Sequence, residues 1–217
     1  GENVPKRTTL SVPTMRERVE PRFACRKNHG INRSIRGEGA TWRRRIRITS
    51  HDLNVPYNRY SHNLASIVRI RDHAEPHPEF FPLQNGKRRI PERHYSWQPC
   101  TTNPDVVSQA ILTAQRWWEK HPYANYFSVG MNDGRGWCQC VNCTALDIPG
   151  YTFRGRPVKS ERYFTFVRQV AEAVQKTHPE KVISCIAYSS VEPIPRGVSL
   201  PDNVLAVITQ DVGAWHD

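Results

Sequence analysis

An α/β fold built on a parallel sheet with covering helices is what this 217-residue sequence predicts, and three observations carry the prediction. Two stretches, 104–118 and 160–174, place apolar residues three and four apart, as a helix needs to present one apolar face. Short apolar runs at 126–131, 182–188 and 204–208 alternate with them. The last two, VISCIAY and VLAVI, are almost continuously apolar, the pattern of strands covered on both faces. The order strand, helix, strand, helix, strand, loop, strand implies strands that run the same way, with helices as crossovers.

Taken in order, residues 1–20 read as an extended linker, with Pro5 and Pro13 on either side of a short Thr-rich segment. Residues 21–25 (PRFAC) are apolar enough for a first buried strand, 27–40 are polar and loop-like, and 42–48 open a weak helix. The segment from Ser61 through Leu64 to Val68 suits either a strand end or a helix start. Asn85-Gly86 marks a two-residue hairpin turn. Residues 95–99 supply the strand before the first helix, which Asn103 and Pro104 begin: Asn caps free N–H groups, and Pro fits a first turn where no donor is needed. Val106, Val107, Ala110, Ile111, Ala114, Trp117 and Trp118 form its apolar face. The second helix starts near Ser160, buries Tyr163, Phe164, Val167, Val170, Ala171 and Val174, and ends before Pro179.

Composition bounds the function. Apolar content of 38% and six Trp indicate a folded chain. No run of about 18 apolar residues exists to span a membrane. The opening GENVPKRTTLSVP has no apolar core of a signal peptide and reads like mid-protein sequence, so an export address would lie outside it. The net charge of +11 is uneven: residues 1–100 hold 20 Lys+Arg against 9 Asp+Glu, whereas 101–217 hold 11 of each. The stretch from Arg33 to Arg47 is the densest part. Such a stretch suits an acidic sugar polymer, a solvated face or nucleic acid. No zinc-finger spacing, paired RNP-type aromatics or G-x-x-G clamp accompanies it, which speaks against nucleic acid.

The most specific local signal is Cys138-x-Cys140-x-x-Cys143 in the sequence FSVGMNDGRGWCQCVNC. Thiols so close hold a soft metal such as Zn²⁺, form one disulfide and leave one thiol, or simply pack. A closed zinc site needs a fourth ligand. Cys100, just past the strand expected at 95–99, is the candidate, because a parallel sheet brings it to the same edge. Cys25 and Cys185 sit in apolar runs and read as inert buried thiols.

Residues at strand ends converge on one rim, which collects His62, Cys100, Asn132, Asp133, Tyr188 and Asp211. In a parallel α/β barrel, catalytic groups stand on that rim. Asp133 and Asp211 could form the acid and base pair of glycoside cleavage, although any single Asp after a strand can equally cap a helix. His62 suits hydrogen bonding to a substrate or a structural role.

At these residues the sequence resembles a bacterial domain of unknown function found in large, mostly exported proteins regarded as glycoside hydrolases. The matching segments are GENVPKRTTLSVP, the His62 segment, HPEFFPLQNGKR, CTTNPDVV, FSVGMNDGRGWCQCVNCTALD, and VISCIAYSSVEPIP with PDNV. They run through nearly the whole chain. The resemblance implies a barrel akin to those of α-glucuronidases and β-hexosaminidases. A full (β/α)8 TIM-type barrel needs about 250 residues, so an incomplete barrel of five or six strands is expected over 21–217, after a linker, 1–20, from a missing N-terminal domain. The stretch from Arg33 to Arg47 departs from the family in being richer in Arg.

The expected function is therefore that of a piece of a secreted or periplasmic glycoside hydrolase acting on a polysaccharide, one bearing uronic acids if its arginines meet carboxylates. Asp133 would be acid or substrate binder, with Asp211 as the second carboxylate. Asn132 and His62 would hold sugar hydroxyls, and Tyr188 would line the pocket. The piece alone is expected to be inactive. Rival readings are a catalytically silent carbohydrate-binding barrel and a basic nucleic-acid module built on the Arg33 to Arg47 stretch.

Overall fold

The computed structural model describes residues 62–209, with residues 8, 9, 11, 14 and 16 at isolated positions. The chain divides into two units, Gly1–Asn54 and Val55–Asp217, and the elements below belong to the second. Most of the linker expected at 1–20, the strand at 21–25, the helix at 42–48, Cys25, the Arg33 to Arg47 stretch and Asp211 lie outside the described residues.

The elements are α1 (Leu64–Ile67), α2 (Ile70–His73), β1 (Leu83–Gln84), β2 (Lys87–Arg88), α3 (Pro104–Lys120), β3 (Tyr126–Ser128), α4 (Val141–Ala145), β4 (Thr152–Phe153), β5 (Arg156–Pro157), α5 (Ser160–Thr177), β6 (Val182–Ala187) and β7 (Val204–Ile208). Strands β3, β6 and β7 form a parallel sheet in that order, with Tyr126 opposite Val182 and Ile183 opposite Val204. Parallel neighbours require a crossover, and α5 supplies the one between β3 and β6. Beyond β3 the chain stays extended, with Val129 N–H bonded to Ser184 O at 2.8 Å. On the other edge of β3, His62 makes an isolated parallel bridge to Gly130, and Asn63 N–H donates to Gly130 O at 2.8 Å. The ambiguous segment at 61–68 is thus both things expected of it, a strand end at His62 and a helix from Leu64.

Helix α3 starts as its sequence dictates, with the Asn103 side chain accepting from Asp105 N–H at 2.8 Å and Pro104 in the first turn. Val106, Ala110, Ala114 and Trp118, four residues apart, form the buried stripe, while Val107, Ile111 and Trp117 flank it half-buried. Full burial of a side chain such as Val106 contributes about 1.5–3 kcal/mol. Asn103→Ala should lower stability by about 1 kcal/mol, a fall in the thermal midpoint of about 2–4 °C by calorimetry. Helix α5 packs against α3 and β6, and Tyr163, Phe166, Val167 and Val170 are fully buried in the same core as Phe127 and Ile183.

Two expectations are corrected. Residues 95–99 form no strand, because the free edge of β3 is taken by residues 62–64. They run instead against the loop after β3, with Ser96 N–H donating to Asp133 O at 2.6 Å and Gln98 N–H to Gly136 O at 2.9 Å. Strand β7 is not covered on both faces as its apolar run suggested; it is half-exposed, with Ile208 58% exposed.

The hairpin at Asn85-Gly86 forms as expected, both residues having positive φ (51° and 76°), as a turn of type I′ demands. A second hairpin, β4–β5, turns on Arg154-Gly155 and carries no such signal in the sequence. No helix among the described residues is long and apolar enough to cross a membrane.

Candidate functional site

Four cysteines come together in the second unit. Cys138 and Cys140 follow the loop after β3, Cys140 immediately precedes α4, and Cys143 lies in its first turn. Cys100 arrives from the irregular segment before α3, its N–H held by Phe80 O at 2.8 Å. The four sulfurs lie within 4.8 Å of one another, with Cys100 at 3.7 Å from Cys140 and 3.9 Å from Cys143. A metal–sulfur bond of about 2.3 Å in a tetrahedron places sulfurs about 3.8 Å apart. A disulfide needs about 2.05 Å, and every described cysteine is a free thiol. Cys185 stands apart within β6, where burial pushes its thiol up to about 12.

The surroundings of the cluster favour negative charge on sulfur. Cys138 is held far below the usual thiol range by hydrogen bonds from Cys100 and Cys143, with Leu83 N–H donating to its Sγ at 3.3 Å. The partner thiols Cys100 and Cys143 are pushed up correspondingly, because they donate rather than ionise. The Arg88 guanidinium lies 3.8 Å from Cys138 Sγ, and the Thr102 hydroxyl sits 3.1 Å from Cys143 Sγ. A hydroxyl, a backbone N–H and a cation around clustered thiols are the outer contacts that a thiolate-held metal calls for.

From the cluster, two segments run side by side to the rim of the sheet. Residues 95–98 lie on 132–136 so closely that a Cβ at Gly136 would stand 2.4 Å from Ser96 O, and one at Gly134, whose φ is +139°, only 2.2 Å from Ser96 Cα. The Gln98 side chain donates to Asn132 O at 2.7 Å and accepts from Asn132 N–H at 2.9 Å. Backbone cannot swing aside as a side chain can, so Gly136→Ala should cost about 1–3 kcal/mol, measured as a lower denaturation midpoint in urea.

The rim residues divide into supports and cavity groups. Asn132, expected to hold sugar hydroxyls, is 2% exposed, with its amide oxygen accepting from Ala65 N–H at 2.6 Å and its nitrogen donating to Trp97 O at 3.0 Å. It is placed as a strut of the loop. Asp133 is exposed and lines an open cavity of about 250 Å³ with Gly134, Arg135, Arg156, Tyr188 and Ser189. His62 lies beside this group, its ring 6.0 Å from that of Tyr188 and its Nδ1 bonded to Met131 O. Asp211 is outside the described residues, so Asp133 is the sole carboxylate lining the cavity among those described. Ser189 has φ +55° and Ser96 has φ +71°. Non-glycine residues held there cost about 1–3 kcal/mol each and concentrate at functional sites.

Several contributors were not anticipated. Arg135 and Arg156 have no periodic or motif signal. Asp147, Lys159 and Arg162 form a half-buried ion cluster in which Arg162, 1% exposed, bonds Asp147 and also donates to Cys138 O at 2.6 Å. That contact ties α5 to the cysteine loop. Trp137 adds another tie, its indole N–H donating to Ser190 Oγ at 3.1 Å, next to the cavity.

Compared with known proteins, residues 1–214 match the family model of a domain of unknown function, DUF4838. No curated protein and no solved structure gives a significant match.

Proposed function

The chain belongs to the DUF4838 family, and from that premise we propose that it contributes the substrate-binding rim of a (β/α)-barrel glycoside hydrolase acting on a polysaccharide. The observation that carries this reading is the convergence of 133–135 and 188–189, at the carboxyl ends of neighbouring parallel strands, on one open cavity, with His62 beside Tyr188. Carboxyl ends of parallel strands are where α/β barrels keep their chemistry. The segment at His62, then β3, β6 and β7 lie side by side in chain order and run parallel, the sequence of neighbours a barrel would have. The half-exposed apolar strand β7 offers an edge that a further strand would cover.

In this reading Asp133 is the proton donor, and His62 and Tyr188 grip the sugar ring and its hydroxyls. A structural Zn²⁺ held by Cys100, Cys138, Cys140 and Cys143 fastens together the ends of the two segments that carry the rim.

A second reading, a carbohydrate-binding barrel without turnover, is favoured by the single carboxylate at the cavity among the described residues. Hydrolysis by either the retaining or the inverting route ordinarily needs two. The deciding experiment is incubation of the full-length protein with a panel of polysaccharides. New reducing ends support hydrolysis, and saturable binding without them supports the glycan grip. Neither binding nor cleavage overturns both.

A further inference from the structure

The cavity at the rim carries two cations that no carboxylate among the described residues pairs with. Arg135 stands on the loop after β3 and Arg156 on β5, and both line the cavity with Asp133, Tyr188 and Ser189. Other arginines nearby are committed. Arg162 is bound to Asp147 inside the core, Arg88 donates to Phe81 O at 2.7 Å beside the cysteines, and Arg154 makes two contacts, 3.3 and 3.4 Å, to the Glu192 carboxylate. Neither Arg135 nor Arg156 forms an ion pair with any carboxylate among the described residues, Asp133 included. The contact made by Arg156 is to the Ser189 hydroxyl, at 3.4 Å.

The position of Arg156 is built, even though its side chain is exposed. The Arg154–Glu192 pair fixes the tip of the β4–β5 hairpin, and Lys159 N–H donates to Ser190 O at 2.8 Å just past its base. Arg156 is thereby kept next to Ser189, whose left-handed backbone turns the chain sharply at the end of β6. Arg135 lies between Gly134 and Gly136, whose close approach to Ser96 and Trp97 locks the loop. Two guanidinium groups on separately anchored segments, lining one polar cavity that holds one carboxylate among the described residues, are arranged to receive an anion.

We propose that Arg135 and Arg156 form a subsite for an acidic group on the sugar, a carboxylate or a sulfate ester, so that the polysaccharide taken by this rim is an anionic one. The proposal rests on the glycan reading given above and narrows it to a substrate class. It explains why the cavity is lined by cations, which a neutral glycan would leave without partners.

The test uses the full-length protein and three matched oligosaccharides, one bearing a uronate, one in which that carboxyl is reduced to the alcohol, and one sulfated at the same position. The wild type should bind at least one acidic form about tenfold or more tightly than the neutral one, and the preferred acid identifies the group. Arg156→Gln and Arg135→Gln should each weaken binding of the acidic form about 10- to 100-fold, the range of a lost hydrogen bond to a charged group. Binding of the neutral form should stay unchanged, and Arg156→Lys should restore part of the loss. A charged-to-neutral ratio that is the same in Arg156→Gln, Arg135→Gln and wild type overturns the anionic subsite while leaving the glycan reading in place. Failure of the wild type to bind any of the three overturns the subsite together with that reading.

Discussion

Cys143→Ser is expected to abolish metal binding and to lower the thermal unfolding midpoint by about 6–20 °C, the equivalent of about 3–5 kcal/mol at roughly 2–4 °C per kcal/mol for a chain of this size. Cys143 is fully buried, its sulfur lies 3.9 Å from that of Cys100, and the Thr102 hydroxyl meets it at 3.1 Å. Serine offers a harder and less readily ionised donor, so the proposed set of four thiolates falls to three. Metal affinity is then lost from the folded state, where its binding free energy counts directly as stability. Calorimetry with and without a chelator separates this from simple loss of packing. Chelation under reducing conditions should bring the wild type down to the midpoint of the variant and leave the variant where it is. A wild-type midpoint unmoved by chelation, together with no zinc in protein purified under reducing conditions, would remove the metal and leave a thiol cluster that only packs.

The effect should extend to the rim, because the cluster is where two otherwise separate segments end. Residues 95–98 lead into Cys100, and 132–136 lead into Cys138. Their mutual register depends on backbone contacts at Gly134 and Gly136 and on the exchange between Gln98 and Asn132. This arrangement also shows what could be read from the sequence and what could not. The helix beginning at Asn103-Pro104 and the strand VISCIA were legible because each depends on local chemistry, a cap in one case and a continuous apolar run in the other. Cys100 does join the other three thiols, but not by the route expected. The strand meant to deliver it does not exist, and a coil fastened to the loop after β3 delivers it instead. That coil is specified by what two glycines permit across about 40 residues of separation, and no periodicity reports such contacts. The G-x-G of NDGRGW is the one trace of it. Arg162 is a further case. Helical spacing puts it at the edge of an apolar face, yet it is buried because Asp147 and the Cys138 carbonyl satisfy it, partners that only the fold brings near.

On the proposed hydrolase reading, Asp133→Asn is expected to lower turnover of a polysaccharide substrate by about 10²- to 10⁴-fold, the usual contribution of a general acid. The substitution is close to isosteric, and the structural contact of residue 133 is made by its backbone carbonyl, which accepts from Ser96 N–H at 2.6 Å. Since the side chain is exposed, the denaturation midpoint should stay within about 0.5 kcal/mol of wild type, so any loss of rate belongs to chemistry or binding. Those two are separated by the leaving group. A donor is needed to the extent that the departing oxygen is basic. An aryl glycoside with a strongly acidic phenol should therefore be cleaved by the variant at nearly the wild-type rate, while the natural alkyl linkage is not. Equal losses on both substrates, with KM raised, would make Asp133 a sugar-binding group and move the proton donor elsewhere. Unchanged turnover on both would take residue 133 out of the reaction. The same pair of substrates applied to Asp211→Asn then assigns the second role, since loss of a nucleophile or base slows the aryl glycoside as severely as the alkyl one.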